Sequence, residues 1–299
     1  MNNKPFHISR WVALSCLQKS IRRGRTEFAL MAARQLHATE PLNLLKRLQI
    51  IAVEDIAVGD LPLVHRVLTT ERTDLITVLE LVTAMCRAVK DRSATDLCEA
   101  VNARIDNHAL ALEAARLIVA KTVSGDDPLA REVAHLGYQV TKQPLCFSIP
   151  LVAGMAGGKT EWAPDTYTTY PLIHGLPPET FCMYTREGKA SYRRTLKYHP
   201  TLRQQLERWV APEQAADLLG YAMFVAESGM LDKRLVYSGS VDVLRLGQQA
   251  DIGRWGVPAS DVDAVVEIVT EALPFIHRMR CEHLNYREHS LLATNMENQ

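Results

Sequence analysis

From residue 8 to about residue 140, apolar side chains recur three and four positions apart between polar ones, the period of helices with one buried face. Ser9 precedes "RWVALSCLQKSIRR", which stops at Gly24, and Thr26 opens "EFALMAARQLHA". Pro41 starts "PLNLLKRLQIIAVEDIA", in which Leu45, Leu48, Ala52 and Ile56 fall on one face. A short helix follows at "PLVHRVLTT" and a long one at "TDLITVLELVTAMCRAVKD", with Thr73 as its cap. "SATDLCEAVNARI", "NHALALEAARLIVAKTV" and, after Asp126, Asp127 and Pro128, "DPLAREVAHLGYQVTK" complete the run. Between Gln143 and Cys182 proline and glycine break the pattern, which predicts a linker or an irregular excursion packed on the helices. Helical character returns from Thr185 and ends in a long C-terminal helix with a kink at Pro274. No set of strands and no repeat stands out. The pattern predicts an all-α chain with helical domains at 1–142 and 185–299 and an irregular segment at 143–184.

The irregular segment contains "AGMAGGKTEW", which invites a phosphate-loop reading. That loop needs glycine five residues before the final glycine, where Ala153 stands, and its Lys-Thr pair must open a helix. Pro164, Pro171, Pro177 and Pro178 follow instead and forbid a long helix, so no nucleotide binding is expected at Lys159 and Thr160. "LQIIAVEDI" similarly imitates a metal-binding strand, yet its helical spacing makes Glu54 and Asp55 the end of a buried helix. Acids there oppose the helix dipole and call for polar partners, such as a neighbouring Arg.

The 34 basic and 34 acidic side chains balance, so a polyanion partner must be met by a local patch rather than by the overall field. Such a patch is offered by "TREGKASYRRTLKYHPTLRQQLERW", which carries Arg186, Lys189, Arg193, Arg194, Lys197, Arg203 and Arg208. Tyr192, Tyr198 and Trp209 interleave, and aromatic rings stack on bases, which makes this the nucleic-acid candidate with a preference for single strands. "KSIRRGR" is a smaller basic cluster. Cysteines at 16, 86, 98, 146, 182 and 281 form no CxxC pair, which suits reduced thiols in a cytoplasmic protein. His277 and Cys281 share a helix face, but His283 points elsewhere, and no metal, cofactor or catalytic group is assigned. No membrane span is present in the pattern.

"LQKSIRRGRTEFALMAARQLHATEPLNLLKRLQIIAVEDIA" resembles the C-terminal helical domain of clamp-loader-related AAA+ ATPases of the replication-associated recombination protein A family. Lys19, Ser20, Ile21 and Arg22 match its Lys-Ser-Ile-Arg turn, and Ala33, Arg34 and Leu36 its Ala-Arg-x-Leu helix. Glu40, Pro41 and Leu42 stand for Asp-Pro-Leu, and Arg47 and Leu48 begin the helix that ends Glu54, Asp55, Ile56. Val53 and Ala57 replace the family's Ser and Gly, and "AMCRAVKDRSATDL" is a looser match to its Ala-Pro-Lys-Ser segment. The resemblance spans about the first third of the chain and has no ATPase module before it. It implies a collar-like bundle that holds copies of the chain together, with Lys19, Ser20, Arg22, Arg47, Glu54 and Asp55 as structural residues.

The expected function is therefore a non-enzymatic, oligomerising accessory protein of DNA replication, repair or recombination, of phage or mobile-element origin. DNA and a replication or recombination ATPase are the expected partners. Two alternatives use the same fold: a protein-binding adaptor or inhibitor, and a helical enzyme whose pocket lies at 143–182 with Lys159, Tyr167 or His174.

Overall fold

The computed structural model describes residues 8–105, 108–158, 161–164 and 169–297, with side chains to residue 284. The described residues are mostly helical, with fourteen α-helices among them. The chain divides into two compact units, one made of Met1–Thr166 and Met230–Asp251, the other of Tyr167–Gly229 and Ile252–Gln299. The boundaries expected at 142 and 184 are not where this division falls: the first unit takes part of the irregular segment and a later return of the chain.

In the first unit the helices are α1 (Arg10–Arg22), α2 (Thr26–Thr39), α3 (Pro41–Ile51), α4 (Leu61–Thr69), α5 (Leu75–Arg87), α6 (Ser93–Asn102), α7 (Ala109–Ala120), α8 (Pro128–Thr141) and α9 (Ile149–Ala156). Ser9 caps α1 by accepting from the Val12 amide, and Asp60, Asp74 and Asp127 cap α4, α5 and α8 in the same way. The long helix expected behind Thr73 therefore begins one residue later, on the stronger acceptor Asp74. Leu17, Ile21, Leu36, Leu44, Leu48, Ile51, Ile56 and Leu81 are fully buried and interlock α1, α2, α3 and α5.

The apolar run Ile149–Ala156 is helical, so the irregular excursion holds a helix of its own. Two short strands that the pattern did not announce, β1 (Trp162–Ala163) and β2 (Arg234–Leu235), pair antiparallel, with Trp162 opposite Leu235. Each has two residues, too few for an alternation to be visible.

The second unit contains α10 (Arg186–Tyr198), α11 (Pro200–Leu206), α12 (Ala215–Met223) and α14 (Val262–Glu297); α13 (Ser240–Gly253) belongs for most of its length to the first unit, joining the nine helices above. Tyr192, Leu196, Leu202, Leu206, Leu218, Leu219, Val265, Val269 and Ile276 form its core. Pro274 lies inside α14.

A common device appears in both units. The helix α3 runs on into a π-turn at Ala52–Ile56, and α12 into one at Phe224–Ser228. Each turn carries a buried carboxylate, Asp55 in the first and Glu227 in the second, and each carboxylate meets a buried arginine from another helix. A π-turn widens the backbone by one residue and re-aims the side chains that follow, which places an acid inward at a helix end that would otherwise disfavour it.

Candidate functional site

Of the seven basic residues expected to meet nucleic acid, four share one exposed face of a helix. Arg186, Lys189, Arg193 and Lys197 are all exposed and lie at positions i, i+3, i+7 and i+11 of α10. That spacing puts them in one row along the helix, about 16 Å long at the α-helical rise. The opposite face holds Gly188, Ser191, Tyr192, Thr195 and Leu196, all buried, so the row is fixed outward by the packing of α10. Thr185 caps the helix by accepting from the Gly188 amide. None of the four is in an ion pair among the described residues.

The other three basic groups have local occupations. Arg194 lies over the Tyr198 ring at 5.1 Å, and Lys197 approaches the same ring at 5.6 Å. Arg203 is held by Glu207 at 2.5 Å. Arg208 covers Trp209 at 4.9 Å, and the indole N–H donates to Asp261 at 2.8 Å, which removes Trp209 from the set of free stacking platforms. Tyr192 is buried and donates no face to solvent. Tyr198, 51% exposed, stays beside the row as an accessible ring.

The residues singled out as structural gather in the first unit around Asp55. Arg22 donates to its carboxylate from Nε at 2.9 Å and from Nη2 at 3.2 Å, Arg92 from Nη1 at 2.7 Å, and Gln18 from Nε2 at 3.0 Å. Gln18 also donates to Glu54 at 2.9 Å, and Arg47 donates to the Gln18 side-chain carbonyl. Burial alone would raise the Asp55 carboxyl, but Arg22 and Arg92 override it and hold it at about 2. Burial raises Glu54, with the Asp55 charge adding to the effect. The stretch Lys19–Arg22 is the last part of α1 rather than a turn, and the turn proper follows at Gly24, with φ of 63°. Lys19, Ser20, Arg22 and Arg23 are buried, so "KSIRRGR" is not a surface cluster. Charge runs are ordinarily solvated, and this one is drawn inward by an acid 33 residues away.

Further groups extend the network that the sequence did not single out. Ser93 donates to Asp91 at 3.0 Å from both its amide and its hydroxyl, and accepts from the Tyr237 hydroxyl. Burial raises Asp91 and Asp96 to about 6 each, against the lowering pull of the Ser93 hydrogen bonds on Asp91 and of Arg92 and Arg234 on Asp96. Arg92, Asp91 and Ser93 lie in "KDRSATDL", so the looser match to the family there was the one signal available.

Ala57 closes the π-turn at φ 41° and ψ −120°, a region that glycine occupies without cost and alanine does not. This is the position at which the resembled family carries Gly. Ala57→Gly is expected to raise the stability of the protein by about 1–2 kcal/mol, read as a higher urea midpoint with an unchanged slope. A lower midpoint would show that the Ala57 methyl group, which is fully buried, contributes more packing than its backbone strain costs.

In "AGMAGGKTEW" the glycines end a helix instead of opening one. Gly157 and Gly158 have φ of 58° and 73°, and the Gly157 amide bonds back to the Ala153 carbonyl at the end of α9. A helix C-terminus presents carbonyls, the opposite of what a phosphate needs. Lys159, Thr160 and Tyr167 themselves lie outside the described residues, and His174 belongs to the second unit. His277 is stacked on Tyr170 at 4.4 Å, and its Nε2 lies 3.7 Å from the Cys281 sulfur. No group of three or more His, Cys, Asp or Glu is placed to hold a metal among the described residues. Nor is any of their helices long and apolar enough to cross a membrane. No family profile, curated protein or solved structure matches this chain.

Proposed function

We propose that this chain is a DNA-binding accessory protein that grips the phosphate backbone with the exposed face of α10. The observation that carries the reading is the row Arg186, Lys189, Arg193 and Lys197, outward-facing and without ion pairs among the described residues. Successive cations about 5–6 Å apart match the backbone of one strand, and Tyr198 adds a ring on which an unpaired base can stack. The non-enzymatic, oligomerising role in replication, repair or recombination rests on the resemblance of the first third of the chain. The need for glycine-like geometry at Ala57 supports it. A replication or recombination ATPase as partner is part of the same proposal.

Four phosphate contacts give a slope of log affinity against log salt of about −2.8 on single strands. Affinity should then fall about 50-fold between 50 and 200 mM salt, with little dependence on base sequence. Arg193→Glu with Lys197→Glu should weaken binding at least tenfold and about halve that slope, because two of four contacts are lost. Fluorescence anisotropy with labelled single- and double-stranded oligonucleotides measures both quantities. No binding of either oligonucleotide at micromolar protein and 50 mM salt would overturn the proposal and leave the row as a protein-docking surface.

A further inference from the structure

The first unit contains a cavity of about 400 Å³ that includes no residue of the α10 row and is lined in part by the 143–182 segment. Its walls are mostly apolar: Val58, Leu61, Pro62, Val89, Leu129 and Leu235. Among the described residues its charged side chains all carry the same sign. Asp60 and Asp127 contribute carboxylates, Trp162, 51% exposed as a residue, contributes its side chain, and Ala153, Ala156 and Gly158 bring the carbonyl end of α9. No basic side chain lines the cavity among the described residues.

The two carboxylates are held in place by work they already do. Asp60 Oδ1 accepts from the Leu63 amide at 3.0 Å, and Asp127 Oδ1 accepts from the Leu129 and Ala130 amides at 2.9 and 3.0 Å. In both residues capping engages Oδ1 and leaves Oδ2 with no partner among the described residues. Opposite charge, a π face and a helix C-terminus each favour a cation, and the aliphatic walls favour an apolar body behind it. The volume suits a molecule of small-metabolite size.

We infer that this cavity binds a small organic ammonium ion, its charged nitrogen directed to Asp60, Asp127 and the Trp162 ring and its apolar part against Leu61, Leu129 and Leu235. The site is independent of the α10 row and lies wholly on the first unit.

Calorimetric titration of the full chain with phenethylammonium tests this, with 2-phenylethanol as the neutral counterpart and phenylacetate as the anionic one. Phenethylammonium should bind at least tenfold more tightly than 2-phenylethanol, and phenylacetate should give no heat. Asp60→Asn and Asp127→Asn retain a capping oxygen, so melting temperatures should hold while each substitution weakens the ammonium about fivefold or more. Trp162→Leu should weaken it as well while leaving 2-phenylethanol little changed. Absence of heat with phenethylammonium, equal affinity for the alcohol, or unaltered affinity in both Asn variants that keep their melting temperature would each overturn the assignment.

Discussion

Asp55→Ala is expected to cost about 3–5 kcal/mol of stability, because it strands Arg22 and Arg92 in the interior without their counter-charge. Arg22 is 2% exposed and has no route by which water could replace the carboxylate. Glu54→Ala should cost less, since Glu54 is half-buried and its hydrogen bond comes from the neutral Gln18 amide. Chemical denaturation followed by circular dichroism at pH 7 gives the comparison. The pH dependence has a definite sign: the Asp55 carboxyl lies at about 2, below its ordinary 3.8. Its contribution is therefore complete above about pH 4 and is lost as pH falls toward 2, so the gap between wild type and Asp55→Ala should close over that window. Equal midpoints at pH 7 would refute the structural role given to this acid. Replacing Arg22, Asp55 and Arg92 together by Met, Leu and Met should cost far less than the single change, which separates loss of packing from an abandoned charge.

Gly188→Ala should be comparably damaging in the second unit. A Cβ at Gly188 would lie 2.0 Å from the Cys182 carbonyl oxygen, 2.5 Å from its carbon and 2.7 Å from the Phe181 oxygen. These are backbone atoms of the segment that folds over the first turn of α10 and ends in its cap, Thr185, so no side chain can swing aside. The expected loss is about 3 kcal/mol or more, beyond ordinary overpacking. Because α10 carries the basic row, nucleic-acid binding should weaken with it, and the two losses should track each other as temperature is lowered. Gly154→Ala is the matched control. Gly154 is also helical, and nothing lies within 4 Å of its added Cβ, so that change should be neutral or stabilising by up to about 1 kcal/mol. If Gly188→Ala melts with Gly154→Ala, the close approach of Cys182 to α10 is wrong.

What the sequence disclosed was local. Ser9, Pro41 and Pro128 mark helix starts through interactions spanning three or four residues, and the amphipathic period follows from one buried face per helix. The row on α10 was legible as a basic segment, and burial of the opposite face then decided which cations point outward. Arg203 differs from the row in having an acidic partner one turn on, Glu207, which the sequence also shows. What stayed hidden depends on distance along the chain. Arg92 reaches Asp55 across 37 residues, and the Tyr237 hydroxyl reaches Ser93 across 144. No periodicity records either pairing. The π-turns are equally silent, since a one-residue widening leaves the apolar spacing of "LQIIAVEDI" almost unchanged.

The Asp55 triad also constrains how the first unit comes into being. Arg22, Asp55 and Arg92 arrive from α1, from the π-turn after α3 and from the start of α6, and either arginine docked before Asp55 is a buried charge without its partner. A partly assembled bundle thus gains little from docking one of these segments early. The closing contacts span more than thirty residues, so the barrier carries the loop entropy of the whole N-terminal stretch. Amides in α1, α3 and α6 should therefore exchange with solvent hydrogen through a single opening event, as one cooperative block, while the exposed ends of α7 open on their own.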